Sequence, residues 1–277
     1  MTDKIIKLGE SILQHGKFNN RVYLMKLSKT DFPTIIDQTK NLAKKNGYTK
    51  VFAKVPKWAK SAFTDDGYVT EAIIPNFFAG EEDACFMSYY FDKLRTIQKS
   101  KLESEQIIGC AQKTQPINQP LKLTSNFSHV VLMPNDAEEM ASIYQTVFET
   151  YPFSIFDPEY IRQTMQENIV YFGIRDQGKL VAVSSCEMDK KSRNVEMTDF
   201  ATLLEYRSKG LASFLLSEME REMIKEEIIT AYTIARSTSY GMNISFAKHR
   251  YQYCGTLINN TNISGSIESM NVWYKAL

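Results

Sequence analysis

The sequence has little that would hold a metal, cross a membrane or grip a nucleic acid. Its four cysteines, Cys85, Cys110, Cys186 and Cys254, are far apart and form no C-x-x-C pair. Neither a zinc site nor a disulfide framework is indicated, and such cysteines usually serve as small core residues. The three histidines, His15, His129 and His249, form no H-x-x-x-H or H-E-x-x-H pattern. A Gly-x-Ser-x-Gly elbow and a Walker loop are also missing, so metal hydrolase, serine hydrolase and P-loop readings lose their main support, and no metal is expected. Charge of one sign is lacking too. The 33 basic and 32 acidic residues nearly cancel, which argues against binding driven by phosphate neutralisation. No apolar run approaches the roughly 18 residues needed to span a bilayer. The expectation is a soluble, cytoplasmic protein whose partner is a small molecule, with neither nucleic acid nor membrane involved.

What is present concentrates between Arg193 and Met223. Met197, Thr198, Phe200, Ala201 and Thr202 are small, β-branched or apolar and read as a strand. Leu211, Phe214, Leu215 and Met219 then recur at helical spacing. The handover is Arg207-Ser208-Lys209-Gly210-Leu211-Ala212. A helix N-terminus offers unpaired amides and the positive end of a dipole, so this loop suits an anion. Gly210 and Ala212 would let a phosphate come close, and Arg207 and Lys209 add charge. Spacing alone leaves open a solvated basic helix start.

The segment resembles motif A of the GNAT acetyltransferases, Arg/Gln-x-x-Gly-x-Gly/Ala, with Arg207, Gly210 and Ala212 at the matching places. Ser208 falls at a free position that is often glycine there. Wider text resembles the β-lysine N-acetyltransferase family over nearly the whole chain: Met-Thr-Asp-Phe-Ala-Thr-Leu (197 to 203), Tyr-Pro-Phe-Ser-Ile-Phe-Asp-Pro-Glu-Tyr (151 to 160) and Ile-Glu-Ser-Met-Asn-Val-Trp-Tyr-Lys (267 to 275). The resemblance implies an α/β (α+β) GNAT acyltransferase fold, a mixed, mostly antiparallel sheet flanked by helices, with acetyl-CoA as co-substrate.

Taken in order, the chain predicts a strand at 21–27, a helix opened by Thr30-Asp31 and ended by Gly47, a strand at 50–55, a short helix near Trp58 to Phe63, and strands at 70–78 and 85–91. The same order recurs as a helix at 207–225, a strand at 228–235, a short helix at 240–249, and strands near 253–258 and 268–275. Sliding one copy onto the other without a gap sets Phe63 on Phe246, Tyr68 on Tyr251, Asn76 on Asn259 and Met87 on Met270. Residues 1–98 therefore read as a smaller, degenerate GNAT-like domain without a phosphate loop, packing on or walling the second. Residues 99–128, with Gln112, Gln115, Pro116, Gln119, Pro120 and Ser125 and no sustained periodicity, read as a linker. Residues 129–277 read as the catalytic domain. Within it, Asp157-Pro158-Glu159 starts a helix, and a hairpin turns at Asp176-Gln177-Gly178.

Acetyl transfer to an amine needs a held thioester, a free-base amine and stabilisation of developing charge. Counted back from Arg207, Glu196 occupies the general-base position of histone-type relatives; an exposed strand-end carboxylate is the competing reading. Alternation places Asp199 on the opposite face, as a buried hydrogen-bonder or a ligand of the substrate amine. Phe246 stands where many relatives carry the tyrosine that protonates the leaving thiolate, so either coenzyme A leaves without that acid or Tyr240, Tyr251 or Tyr253 supplies it from a shifted place; Tyr251 is the catalytic candidate. Resemblance adds Ala201, Thr202, Ser239 and Asn243 to the motif A loop (Arg207, Ser208, Lys209, Gly210, Leu211, Ala212) as coenzyme A contacts. For a diamino acid, Arg236 would meet the carboxylate, Glu268 and Asn271 an ammonium, and Tyr151 and Phe153 would wall the alkyl chain.

The reading that follows is acetyl-CoA-dependent acetylation of the N6 amine of β-lysine, giving a compatible solute, with lysine 2,3-aminomutase upstream and a homodimer left open. Two alternatives stand beside it: acetylation of lysine, a polyamine or another small diamine, and a non-catalytic acyl-CoA-binding regulatory module.

Overall fold

Strands β1 (Lys4–Leu8), β2 (Ser11–Gly16) and β3 (Arg21–Lys26) open the chain as antiparallel neighbours. In the computed structural model, which describes residues 3–124 and 126–277, Met1, Thr2 and Ser125 lie outside the described residues; Ser125 belongs to the expected linker. β3 is buried on both faces from Arg21 to Leu24. Val22 and Leu24 lie under helix α1 (Ile35–Asn46), which buries Ile35, Ile36, Thr39 and Ala43 and stops at Gly47 in a left-handed cap. α1 is the crossover that lets β3 run parallel to β4 (Lys50–Pro56). Helix α2 (Lys60–Asp65) and strands β5 (Val69–Phe78) and β6 (Glu82–Tyr90) complete the first half.

Where a linker was expected, helix α3 (Lys101–Gln112) forms and packs against a helix of the second half. It buries only Ser104, Ile107 and Ala111, while Leu102 is 76% exposed. The apolar spacing is therefore too sparse to register as periodic in the sequence.

The second half follows as β7 (Phe127–Val131), α4 (Ala137–Val147), α5 (Pro158–Glu167), β8 (Ile169–Asp176), β9 (Lys179–Asp189), β10 (Asn194–Thr202), α6 (Leu211–Lys225), β11 (Thr230–Arg236), α7 (Tyr240–Lys248), β12 (Gln252–Ile263) and β13 (Ser266–Ala276). Asp157 caps α5 as its sequence suggested, accepting from the Glu159 amide at 3.0 Å, with Pro158 in the first turn.

Among the described residues thirteen strands form one mixed sheet in the order β1-β2-β3-β4-β6-β5-β12-β13-β11-β10-β9-β8-β7. β3–β4 and β10–β11 are its parallel pairs, and the rest is antiparallel. Apart from the additional edge strand β7, the two halves repeat one another when read inward, β1-β2-β3-β4-β6-β5 against β8-β9-β10-β11-β13-β12. Their equivalent strands β5 and β12 pair antiparallel through Ala72 and Gly255, which are themselves equivalent positions, so a local twofold runs through this pair. Gly255 has φ +148°, and a Cβ there would lie 2.0 Å from the Glu71 carbonyl oxygen; only glycine lets the backbones meet.

Other matched positions keep their local geometry. Phe63–Tyr68 and Phe246–Tyr251 are both edge-to-face pairs, with centroids 5.0 and 5.1 Å apart. Asn76 and Asn259 both take positive φ at breaks in strand register. One core lies beneath α1 and α2. The larger core runs through the second half and takes in Tyr23, Phe52, Ile74 and Phe86 from the other face of the first.

Candidate active site

β10 and β11 pair only from Asn194–Thr230 to Glu196–Tyr232 and then separate. β10 stays on β9 as far as Thr202, and β11 stays on β13 as far as Arg236. A bulge between Thr198 and Ala201, with Asp199 at φ +55°, turns β10 away. Beyond Glu196 the facing edges of the two strands therefore have no partner strand. They flank a cavity of about 760 Å³ whose wall includes Thr198, Phe200, Thr202, Thr233, Ile234 and Ala235.

At one end of the cavity lies the start of α6. Gly210, at φ +76°, precedes the helix and gives it no side-chain cap, and a Cβ built on it would meet nothing within 4 Å. The first amides of α6 are thus left for an outside acceptor beside open space, an arrangement suited to a phosphate. Arg207, Ser208, Gly210, Leu211 and Ala212 all line the cavity, and Arg207 Nε donates to the Thr202 carbonyl at 3.2 Å. Ser208 takes φ +62°, so the position often held by glycine is accommodated as a left-handed serine. Ser239 lines the wall near the start of α7.

Glu196, Glu187 and Asp199 line the same cavity as Lys54 of the first half, and Glu196 and Glu187 act on the Lys54 charge. Burial raises the Glu196 carboxyl, and the Glu187 charge raises it further, against the opposing pull of Lys54 and a hydrogen bond from Tyr232. Burial likewise raises Glu187 and Asp199. Asp199 accepts from Tyr151 Oη at 2.5 Å and Ser185 Oγ at 2.6 Å. Strand alternation had turned Asp199 away, but the bulge lets this buried, hydrogen-bonded carboxylate line the cavity as well. Lys54 Nζ donates to Tyr232 Oη at 3.4 Å. Burial lowers its ammonium, yet Tyr23, Glu196 and Glu187 together hold it above its ordinary value. Among these groups a carboxylate with raised basicity can take a proton from an incoming ammonium. Tyr151 and Phe153 also line the cavity.

Several expected contacts lie elsewhere. Asn243 is fully buried and saturated: its amide donates to the Arg236 and Ser239 carbonyls, and its oxygen accepts from Asn271 and Trp273. It fixes the turn into α7 and leaves no group for coenzyme A. Asn271 is held in the same network and also accepts from Thr256. Arg236 reaches the cavity wall, but Glu268 grips it through Nε (2.8 Å) and Nη2 (2.7 Å), and Glu268 itself lines a separate, smaller pocket. Tyr251, 4% exposed, turns its hydroxyl to Glu220 on α6 and is not part of the cavity wall. Of the three candidate tyrosines only Tyr240, 58% exposed, borders the cavity. Phe246 does so too, packed edge-on against Phe200. Ala201 turns its methyl into the core, and Lys209 folds back over the Tyr206 ring at 4.8 Å.

The sequence implies a first half that packs on or walls the second but singles out none of its residues; Arg21, Tyr23, Met25, Phe52 and Lys54 all line the cavity. A usable signal was there, because Arg21, Tyr23 and Met25 alternate with the buried Val22 and Leu24 on one strand. Among the described residues no cluster of metal-ligating side chains is found, and no helix is long and apolar enough to cross a membrane.

Residues 138–243 match the model of the acetyltransferase (GNAT) family. The β-lysine N(6)-acetyltransferase of Methanococcus maripaludis is 45% identical over 273 residues, covering 99% of this chain and 98% of its own length. The N-acetyltransferase YodP of Bacillus subtilis is 34% identical over 96% of each chain. The β-lysine N(6)-acetyltransferase of Methanosarcina mazei is 30% identical over 89% of this chain and 98% of its own. A splayed strand pair, an uncapped helix start beside it and near full-length similarity coincide, and the chain belongs to the GNAT acetyltransferases, in the family of the β-lysine N(6)-acetyltransferases.

Proposed function

We propose that the protein transfers an acetyl group from acetyl-CoA to the N6 amine of β-lysine. The observation that carries this reading is the acidic group of half-buried Glu187 and Glu196 and buried Asp199, which lines the same cavity as the uncapped start of α6. Acetyl-CoA would supply the activated thioester carbonyl. Its pyrophosphate would be held by Arg207 and the amides from Ser208 to Ala212, and its pantetheine arm by the unpaired edge of β10 and by Thr202. The acidic chamber draws the diamine in as ammonium. Glu196, made more basic by burial and by Glu187, takes the proton directly or through water, so that the free amine attacks the carbonyl carbon. The C–N bond forms, the C–S bond breaks, and coenzyme A leaves as the thiolate and is protonated. Of Tyr240, Tyr251 and Tyr253, Tyr240 is the one that lines the cavity and would give that proton, since Phe246 has none to give.

The finer reading belongs to the same proposal: Nε-acetyl-β-lysine as a compatible solute in osmoadaptation, β-lysine supplied by lysine 2,3-aminomutase, and a cytoplasmic location. The test is release of coenzyme A thiol from acetyl-CoA with β-lysine, α-lysine, ornithine and spermidine, with the acetylated nitrogen located by mass fragmentation. Preference for β-lysine at N6 supports the reading. Equal or better turnover of another diamine would reassign the substrate, and no release with any of them would return the chain to a binding module.

A further inference from the structure

Three arginines line the cavity: Arg207, Arg236 and Arg21. Arg207 sits at the start of α6, and Arg236 is already gripped by Glu268. Arg21, on β3 of the first half, is different. It is 4% exposed and has no carboxylate within ion-pair distance among the described residues. Nη1 donates to the Asn260 carbonyl at 2.5 Å and to Thr261 Oγ1 at 3.3 Å; Nη2 has only a 3.5 Å contact with Gln14 Oε1, and Nε has no partner. The guanidinium lies over the rings of Tyr23 and Phe52, 5.2 and 5.6 Å from their centroids. A buried, uncompensated cation of this kind is costly unless an anion completes it.

The unused edge is the one that matters. Arg236 holds Glu268 through Nε and Nη2, the bidentate grip a guanidinium makes on a carboxylate. In Arg21, Nε of that same edge has no partner and Nη2 has only the long contact with Gln14. Position along the sheet fits as well. Arg21 pairs with Lys50 in the β3–β4 register, and Lys54 lies four residues further along β4 on the same face. At about 3.3 Å per residue, the acidic chamber around Lys54 therefore begins roughly 13 Å from the level of Arg21. A cationic pole and an anionic pole that far apart suit an extended amino acid with its carboxylate at one end and an amine at the other.

We infer that Arg21 is the carboxylate anchor of the acceptor site, supplied by the first half, and that it restricts the enzyme to diamino acids over carboxylate-free diamines. This rests on the acetyl-transfer reading above. It also gives the first half a role in recognition.

The experiment compares matched acceptors with and without the carboxylate: β-lysine with 1,4-diaminopentane, α-lysine with cadaverine, and ornithine with putrescine. Each pair is run on the unchanged enzyme and on Arg21→Lys and Arg21→Gln. The unchanged enzyme should favour the carboxylate member on the order of a hundredfold in kcat/KM. Arg21→Gln should abolish that ratio by raising KM for the amino acid while turnover of the diamine persists; Arg21→Lys should restore part of it. A fall of equal size for both members would make Arg21 a structural residue only, and a ratio kept in Arg21→Gln would place the anchor elsewhere; either overturns the inference. If Arg21→Gln fails to fold, the unchanged enzyme and Arg21→Lys still decide, since no carboxylate preference in the first refutes the anchor. Failure of the β-lysine assignment is distinguishable: β-lysine would then be a poor acceptor, while the ratio for α-lysine or ornithine would still report on Arg21.

Discussion

Glu187 and Glu196 stand directly opposite each other in the antiparallel register of β9 and β10. Like charges in that relation destabilise a sheet, and here both are half-buried in the cavity wall. Burial first, and the Glu187 charge second, push the Glu196 carboxyl up to about 8. A carboxyl whose folded value lies above its unfolded value binds more protons when folded over the interval between the two. Stability contributed this way is complete at low pH and is lost as pH rises from the ordinary carboxylate range through about 8. The pair therefore works against the fold at neutral pH and favours proton acceptance.

Replacing Glu196 by Gln removes the base and one of the two like charges. The expected outcome is a loss of roughly 10²- to 10⁴-fold in kcat/KM for the amine, with acetyl-CoA affinity by calorimetry unchanged. Above pH 8 the variant should also melt higher than the parent, because the cost just described is gone. An unchanged low rate in Glu196→Gln would favour a silent acyl-CoA-binding module.

The pH–rate profile should have a rising limb well above the ordinary carboxylate range, since only ionised Glu196 accepts the proton. In Glu187→Gln the neighbouring charge disappears, and the limb should move to lower pH. A limb that stays in place would mean that burial alone, without Glu187, sets the basicity of Glu196. The measurement is kcat/KM for the amine across pH 5 to 10 at saturating acetyl-CoA.

Gly210→Ala tests the phosphate loop. The residue sits at φ +76°, where an L side chain costs about 1–2 kcal/mol, and its Cβ would project into space that is otherwise open. The expected result is a small drop in melting temperature together with a rise in KM for acetyl-CoA of tenfold or more, with KM for the amine little changed. A normal KM for acetyl-CoA would move the pyrophosphate away from this loop.

Local signals carried much of the fold and the loop half of the site. Arg207, Gly210 and Ala212 lie at a helix start whose backbone conformation neighbouring residues specify, and the repeat of Phe63 and Tyr68 in Phe246 and Tyr251 is visible without any contact being known. The acceptor half was hidden because its members meet through pairing distant in sequence. Arg21 and Lys54 join Glu196 only because β5 pairs with β12 and brings the first half's sheet around. Arg236 and Glu268 looked like substrate ligands singly, yet they neutralise each other across β11 and β13. Asn243 was placed by its position at a helix start, and what decided its role was the Trp273 indole lying within hydrogen-bond reach. Asp199 escaped the alternation rule because one bulge changes which side of β10 faces the cavity.

The last prediction concerns how the two halves are held together. Glu71 on β5 accepts from Lys50 Nζ at 3.2 Å, Ser88 Oγ at 2.5 Å, the Tyr90 hydroxyl and the Ile258 amide at 2.9 Å, and Lys50 Nζ also donates to the Ile258 carbonyl at 2.7 Å. Both side chains of this pair are buried. Burial pulls the Lys50 ammonium down to about 7, and Glu71 opposes that pull. A buried pair of this kind is weak evidence of net stabilisation, but breaking it from one side is costly because the other charge is stranded. Glu71→Gln should therefore cost about 3 kcal/mol in denaturant unfolding, whereas Glu71→Leu combined with Lys50→Met should recover most of that loss. The functional consequence follows from Ile258, whose strand β12 also carries the Asn260 carbonyl that holds Arg21. Loosening Glu71 should thus raise KM for the amine in the single variant while KM for acetyl-CoA stays put, because the α6 loop takes no part in this network. Two separate unfolding transitions in the unchanged protein would show instead that the halves are joined loosely, and that the acceptor chamber does not depend on this ion pair.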